Sequence, residues 1–128
     1  MRLRGHHLAC LLGFTGHGYD PAFTARLADL AARYRDGEPV EVVAGLDDVC
    51  ARCPGRDGDT CARHPGAEAA IRAQDAAVLS ALGLGPGDRT TCARVTAALA
   101  VPATRRAVRD ACGDCRWTAV CAWWRGDA

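Results

Sequence analysis

Two groups of three cysteines constrain this chain more than any apolar pattern does. The first, CARCPGRDGDTC, spans residues 50–61, and the second, CGDCRWTAVC, spans residues 112–121. A C-x2-C pair lets a tight turn aim two thiolates at one metal centre. A fold that contains two such turns must place them deliberately. Cys50, Cys53 and Cys61 follow C-x2-C-x7-C spacing, and Cys112, Cys115 and Cys121 follow C-x2-C-x5-C. Structural zinc usually takes four protein ligands in two pairs. A cubane has four iron corners, often served by three close cysteines and one distant one. Groups of three therefore favour an iron–sulfur cluster, [4Fe–4S], with Zn as the alternative. Cys50, Cys53, Cys61 and His64 would make a plausible zinc set.

Eight cysteines in 128 residues would suit a disulfide scaffold in a secreted protein. The opening MRLRGHHLACLLGF does not read as an export signal, because two histidines precede its short apolar run, Leu8 to Leu12, and no small-residue cleavage site follows. No stretch approaches the ~20 apolar residues of a membrane helix. The expectation is a cytoplasmic protein with reduced thiols, where clustered cysteines more often bind metal. Sixteen basic residues against fifteen acidic ones leave a formal charge of +1, which implies no strongly charged partner. Arg105, Arg106 and Arg109 form a basic helical face diluted by Asp110, without the aromatic platform that nucleic-acid binding uses. Aromatics make up 5% of residues and alanine supplies much of the bulk, so the core is thin and a metal site would add stability.

The elements predict an α+β fold: one mostly helical domain over residues 1–128, with a small, parallel, βαβ-linked two-stranded sheet. Residues 1–4 and PVEVVAG (39–45) read as the strands. Between them Asp20 caps a helix, Pro21 suits its first position, and Phe23, Leu27, Leu30, Ala31 and Tyr34 share one face before Gly37. Later helices are expected over residues 67–82, ending at Gly83, from Thr91 to Leu99, and after Pro102. Parallel strands put their carboxyl ends on one edge, where open α/β folds place their sites. GHHLAC follows the first strand and GLDDVCARC the second, so His6, His7, Cys10, Asp47, Asp48, Cys50 and Cys53 can converge.

Bland roles compete for several of these residues. Cys10 sits in an apolar stretch and could be core, or could complete the Cys50 group. If the segment is extended, His6 and His7 point to opposite sides, so only one faces the site. Asp47 and Asp48 read as a helix cap and a solvated neighbour rather than a catalytic pair. Trp117, Trp123 and Trp124 shield the cysteines, and Cys92 is an inert helix residue.

The second cysteine group resembles part of the auxiliary-cluster (SPASM) domain of radical S-adenosylmethionine maturases, whose C-x2-C-x5-C matches Cys112, Cys115 and Cys121. That pattern continues to a fourth cysteine where this chain has Arg125, and the radical enzymes' own C-x3-C-x2-C is absent. A wider resemblance rests on LRGHHLACLLGFTGHGYDPAF, DDVCARCP, LGLGPGDRTT and CGDCRWTAVC in that order. It is to an uncharacterised domain-of-unknown-function family of short bacterial and archaeal proteins described as iron–sulfur binding. The resemblance implies cluster ligands among Cys10, Cys50, Cys53, Cys61, Cys112, Cys115 and Cys121, and functional histidines at His6 and His7. It implies no reaction.

The expected role is electron transfer, or service to a partner enzyme, with a redox or partner protein. One alternative is a small enzyme that binds a small-molecule substrate at an open iron and moves protons through His6 or His7. The other is a zinc-stapled interaction module.

Overall fold

The structure is a computed structural model that describes residues 1–58, 60–62, 65–113 and 121–125. His64, Cys115, Arg116 and Trp117 lie outside the described residues. Two strands, β1 (Arg2–Leu3) and β2 (Val40–Val42), pair in parallel, in register Leu3↔Val42. The chain between them forms two helices, α1 (His7–Gly13) and α2 (Pro21–Arg35). The α+β, mostly helical reading holds, and the sheet gains a third strand. β5 (Arg89–Thr90) joins β2 antiparallel on the side away from β1. A separate hairpin pairs β3 (Arg56–Asp57) with β4 (Thr60–Cys61). The remaining helices are α3 (Ala67–Leu82), α4 (Cys92–Leu99), α5 (Pro102–Ala111) and α6 (Ala122–Arg125).

Local chemistry explains why α2 forms where it does. The Asp20 side chain accepts the Phe23 amide at 2.7 Å, and Pro21 occupies the first turn. Phe23, Leu27, Leu30, Ala31 and Tyr34 are all buried, and each large side chain contributes roughly 1.5–3 kcal/mol by leaving water. Tyr34 also donates its hydroxyl to the Leu8 carbonyl at 2.9 Å, fastening α2 to α1. Tyr34→Phe keeps the ring and removes only that bond. It should lower stability by about 1 kcal/mol, read as a shifted urea midpoint at unchanged slope. An unmoved midpoint would show that the bond contributes nothing net.

Beyond α2 the chain turns through Glu38, whose two carboxylate oxygens each take a bond of 2.9 Å from the Arg33 guanidinium. Those bonds from Arg33 hold the Glu38 carboxyl down at about 2, against an ordinary value of 4.5. A carboxyl depressed by folding stabilises above its unfolded value and loses that contribution as pH falls from about 4.5 toward 2. Glu38→Gln should therefore lower the urea midpoint at pH 6 and leave it nearly unchanged at pH 2. Equal losses at both pH values would show that the charge is not what matters.

α1 packs on α2, α4 and α6, and α3 packs on α4 and α5. α6 is short, and stacking holds it in place. The Arg105 guanidinium lies 5.6 Å from the Trp123 ring centre and donates to the Trp123 carbonyl at 3.0 Å. Arg109 lies 4.5 Å over Trp124. Two of the three arginines on the basic face thus pin the tryptophans that follow Cys121. Among the described residues, no helix is long and apolar enough to cross a membrane.

Candidate metal centre

β1 ends at Leu3, and the chain turns at once against α3. Position 5 has to be glycine here, since a Cβ would meet the Asp75 carbonyl oxygen at 2.5 Å and the Leu79 side chain at 2.9 Å. This close approach carries Arg4, His6 and His7 into the interior. The loop after β2 delivers Asp47 and, through a 3₁₀ turn over Cys50–Arg52, Cys50.

Asp47 organises the first half of the site. One carboxylate oxygen accepts the Arg4 amide at 2.7 Å and His7 Nδ1 at 2.7 Å. The other accepts the amides of Val49 at 3.0 Å and Cys50 at 3.1 Å. Burial alone would raise the Asp47 carboxyl, but His7 and the amides of Arg4 and Cys50 outweigh it and hold the group well below the usual carboxylate range. An ionised carboxylate only accepts, so His7 Nδ1 is the donor to Asp47 and Nε2 is the nitrogen that Asp47 leaves open. A nitrogen of His7, an oxygen of Asp47 and Cys50 Sγ lie within 4.8 Å of one another, a group that could hold a metal ion. Both Asp47 oxygens already take two hydrogen bonds each. Asp47 is therefore better placed to orient His7 and the Cys50 turn than to bind metal itself.

Asp75, on α3, repeats the arrangement for His6. Its Oδ1 accepts His6 Nδ1 at 2.6 Å and the His6 amide at 3.0 Å, and its Oδ2 accepts Arg4 Nε at 2.6 Å. Burial, and then the neighbouring His7, push the His6 imidazole down to about 4 against the pull of Asp75, so His6 is neutral at neutral pH. The two imidazole rings lie 4.1 Å apart, tilted by 49°. The segment is helical from His7 and not extended, so the expectation that only one histidine faces inward does not apply.

Arg4 links the two halves. Its side chain is 1% exposed, and Nη1 lies 3.9 Å from Cys50 Sγ. Burial, and then the Asp47 charge, push the Cys50 thiol up to about 12, so without a metal it stays protonated. Arg4 Nη2 lies 3.9 Å from Glu68 Oε1, and Glu68 Oε2 accepts the Cys61 amide at 2.7 Å. The β3–β4 hairpin returns Cys61 beside Arg56, whose amide bonds to the Cys53 carbonyl at 3.1 Å. Backbone bonds thus link Cys50, Cys53 and Cys61 through one turn and hairpin, while among the described residues the ligand atoms that come within 4.8 Å of one another are those of His7, Asp47 and Cys50.

Cys10 lies on α1, one turn from His6 and one from Gly13. Gly13 meets Cys121 so closely that a Cβ there would clash with the sulfur. Cys112 caps the end of α5 and, like Cys121, packs against the hydrophobic core. Cys10 therefore stands between the histidines and the second cysteine group. Cys92 sits in the first turn of α4, with its sulfur 3.9 Å from Thr96 Oγ1. Asp48 accepts the Arg2 amide at 2.8 Å and bonds back to the Arg2 carbonyl, extending the edge of β1.

The sequence reading missed Arg4, Glu68 and Asp75. Asp75 carried a signal, because Ile71, Asp75, Val78 and Leu79 form one inward stripe of α3 and a carboxylate there must find partners inside. Arg4 carried none, since an arginine at a strand end usually faces water. Asp75 also lines a cleft of about 310 Å³, with Val43, Gly45, Arg72, Leu79 and Pro86 around it.

Together these features define a small cysteine-rich α+β domain with two carboxylate-held histidines beside a C-x2-C turn. The profile of the DUF1284 family, a family of proteins of unknown function, matches residues 18–121, and the chain belongs to that family. The match takes in both cysteine groups and starts after His6, His7 and Cys10. No curated protein and no solved structure matches the chain.

Proposed function

We propose that the chain is an iron–sulfur protein, with Cys50, Cys53 and Cys61 in one ligand group and Cys112, Cys115, Cys121 and Cys10 in the other, holding at least one [4Fe–4S] cluster. Its role is to pass electrons to a partner protein or to serve a partner enzyme. The observation that carries this reading is the buried Asp47–His7 pair beside Cys50. Carboxylates that fix the tautomer and direction of an imidazole recur behind metal ligands. The donor set also fits. Thiols and a neutral imidazole suit iron–sulfur centres and zinc, and Arg4 offers a hydrogen bond to the Cys50 sulfur. When bound, the cluster would supply a one-electron store, while Trp123 and the surrounding core would keep water from it.

Anaerobic purification, with iron, acid-labile sulfide and zinc measured per chain, tests the reading. Brown protein with iron and sulfide in equal amounts is expected. Colourless protein with stoichiometric zinc and no sulfide would overturn it in favour of a zinc-stapled module.

A small enzyme is the second reading, and the cleft beside Asp75 favours it. A substrate seated there would lie near the carboxylate that holds His6, and His6 would be the group that moves a proton. Turnover abolished by His6→Gln, with the cluster absorbance intact, would select this reading over electron transfer.

A further inference from the structure

Four cysteines are not needed to complete the first group. Cys50, Cys53 and Cys61 come from a 3₁₀ turn and a hairpin, and the side chain that α1 brings to Cys50 is an imidazole. His7 is 8% exposed, and its Nδ1 is spent on Asp47 at 2.7 Å. One of its nitrogens falls within 4.8 Å of Cys50 Sγ. Cys10, the other candidate on α1, lies a turn further along, toward the Gly13 position that Cys121 Sγ abuts.

A second observation points to a charged occupant. Arg4 Nη2 is buried and makes no hydrogen bond among the described residues, standing 3.9 Å from Glu68 Oε1, and Nη1 of the same guanidinium reaches the Cys50 sulfur at 3.9 Å. Glu68 faces Nη2 at ion-pair distance without closing a hydrogen bond, so the guanidinium keeps donor capacity on the side that faces the Cys50 sulfur. Thiolates on a metal centre are anions, and a guanidinium nearby offsets their charge.

We infer that the first centre has mixed ligation: three thiolates, from Cys50, Cys53 and Cys61, and the His7 nitrogen that Asp47 leaves open. The inference rests on the iron–sulfur reading and goes beyond it by naming the fourth ligand. Replacing a thiolate by a neutral imidazole removes one negative charge from the centre and raises its potential. Such a centre would lie above an all-cysteine second group, giving electrons a direction between the two.

The test uses the full chain, purified anaerobically. X-ray absorption at the edge of whichever metal is bound reads imidazole by its outer-shell scattering. Spin-echo modulation of the reduced protein, grown with ¹⁵N-histidine, reads directly bound nitrogen. An imidazole signal is expected that disappears in His7→Cys, with iron content kept and the midpoint potential lowered. Should His7→Cys fail to fold, elimination decides. The chain has four histidines, so a signal that survives in His6→Asn, His17→Asn and His64→Asn belongs to His7.

Loss of the signal in His64→Asn would overturn the inference and leave the iron–sulfur reading standing, and so would bound iron with no imidazole signal. A protein with neither iron nor zinc would overturn both. Zinc with an imidazole signal from His7 would overturn the iron–sulfur reading and uphold the ligand assignment.

Discussion

Asp47→Ala should cost several kcal/mol of folding stability, since each buried donor left unmade costs about 1–3 kcal/mol. The substitution strands four donors at once. The amides of Arg4, Val49 and Cys50 and the Nδ1 hydrogen of His7 all end on this carboxylate. The same change frees the His7 ring to rotate and loosens the turn that presents Cys50. Loss of an outer carboxylate typically weakens metal binding roughly 10–100-fold. Asp47→Asn should fall between, since it keeps one acceptor oxygen but turns an NH₂ group toward donors. Denaturant unfolding and competition with a chromophoric chelator measure the two effects separately. A variant that unfolds early yet competes for metal like the wild type would reduce Asp47 to a cap of the 3₁₀ turn.

The sequence revealed this fold wherever a side chain signalled its own local structure. Asp20 and Pro21 begin α2, Thr91 accepts the Arg94 amide at 3.3 Å to begin α4, Pro102 begins α5, and Gly83 follows the last residue of α3. In each case the cap chemistry is complete within four residues and needs no tertiary partner. α1 has no such signal. His6 precedes it without a side-chain cap, and its seven residues are too few to be stable alone. Packing against α2, α4 and α6, with the Tyr34 bond to Leu8, holds it. β5 was hidden for a related reason. Two residues carry no alternation, and their strand identity comes from pairing with β2 at Val40↔Thr90.

Part of the site was legible too. Parallel strands predicted that the segments after β1 and β2 would meet, and His7, Asp47 and Cys50 do meet. Asp47 keeps its expected capping role and adds an orienting one, because a carboxylate has two oxygens and each can accept twice. What the pattern lacked was the partner across the sheet edge. Arg4 reaches Cys50 and Asp75 across separations of 46 and 71 residues, which no local window captures. The His6–Asp75 bond depends on Gly5 letting the chain just past β1 run against α3, a contact visible only once both are folded.

Substituting single cysteines should separate ligands from bystanders more sharply than any other change. Cys92→Ser removes a half-buried sulfur whose described polar contact is Thr96 Oγ1 at 3.9 Å, which a serine hydroxyl can replace. It should change stability by less than about 1 kcal/mol and leave bound metal at the wild-type level. Cys115→Ser and Cys121→Ser remove thiolates from the second group. Metal binding and folding are linked when the ligand set exists only in the folded chain, so both variants should lose metal and solubility together. Cys121 carries a further cost, because its sulfur is the atom packed against Gly13 where α6 meets α1. Cys50→Ser should also release metal, while leaving the Arg4 guanidinium beside a hydroxyl. Metal per chain and the soluble fraction, measured for all four variants in one anaerobic preparation, decide the matter. Equal metal loss in Cys92→Ser and Cys121→Ser would show that the grouping of cysteines by sequence spacing does not describe the ligands.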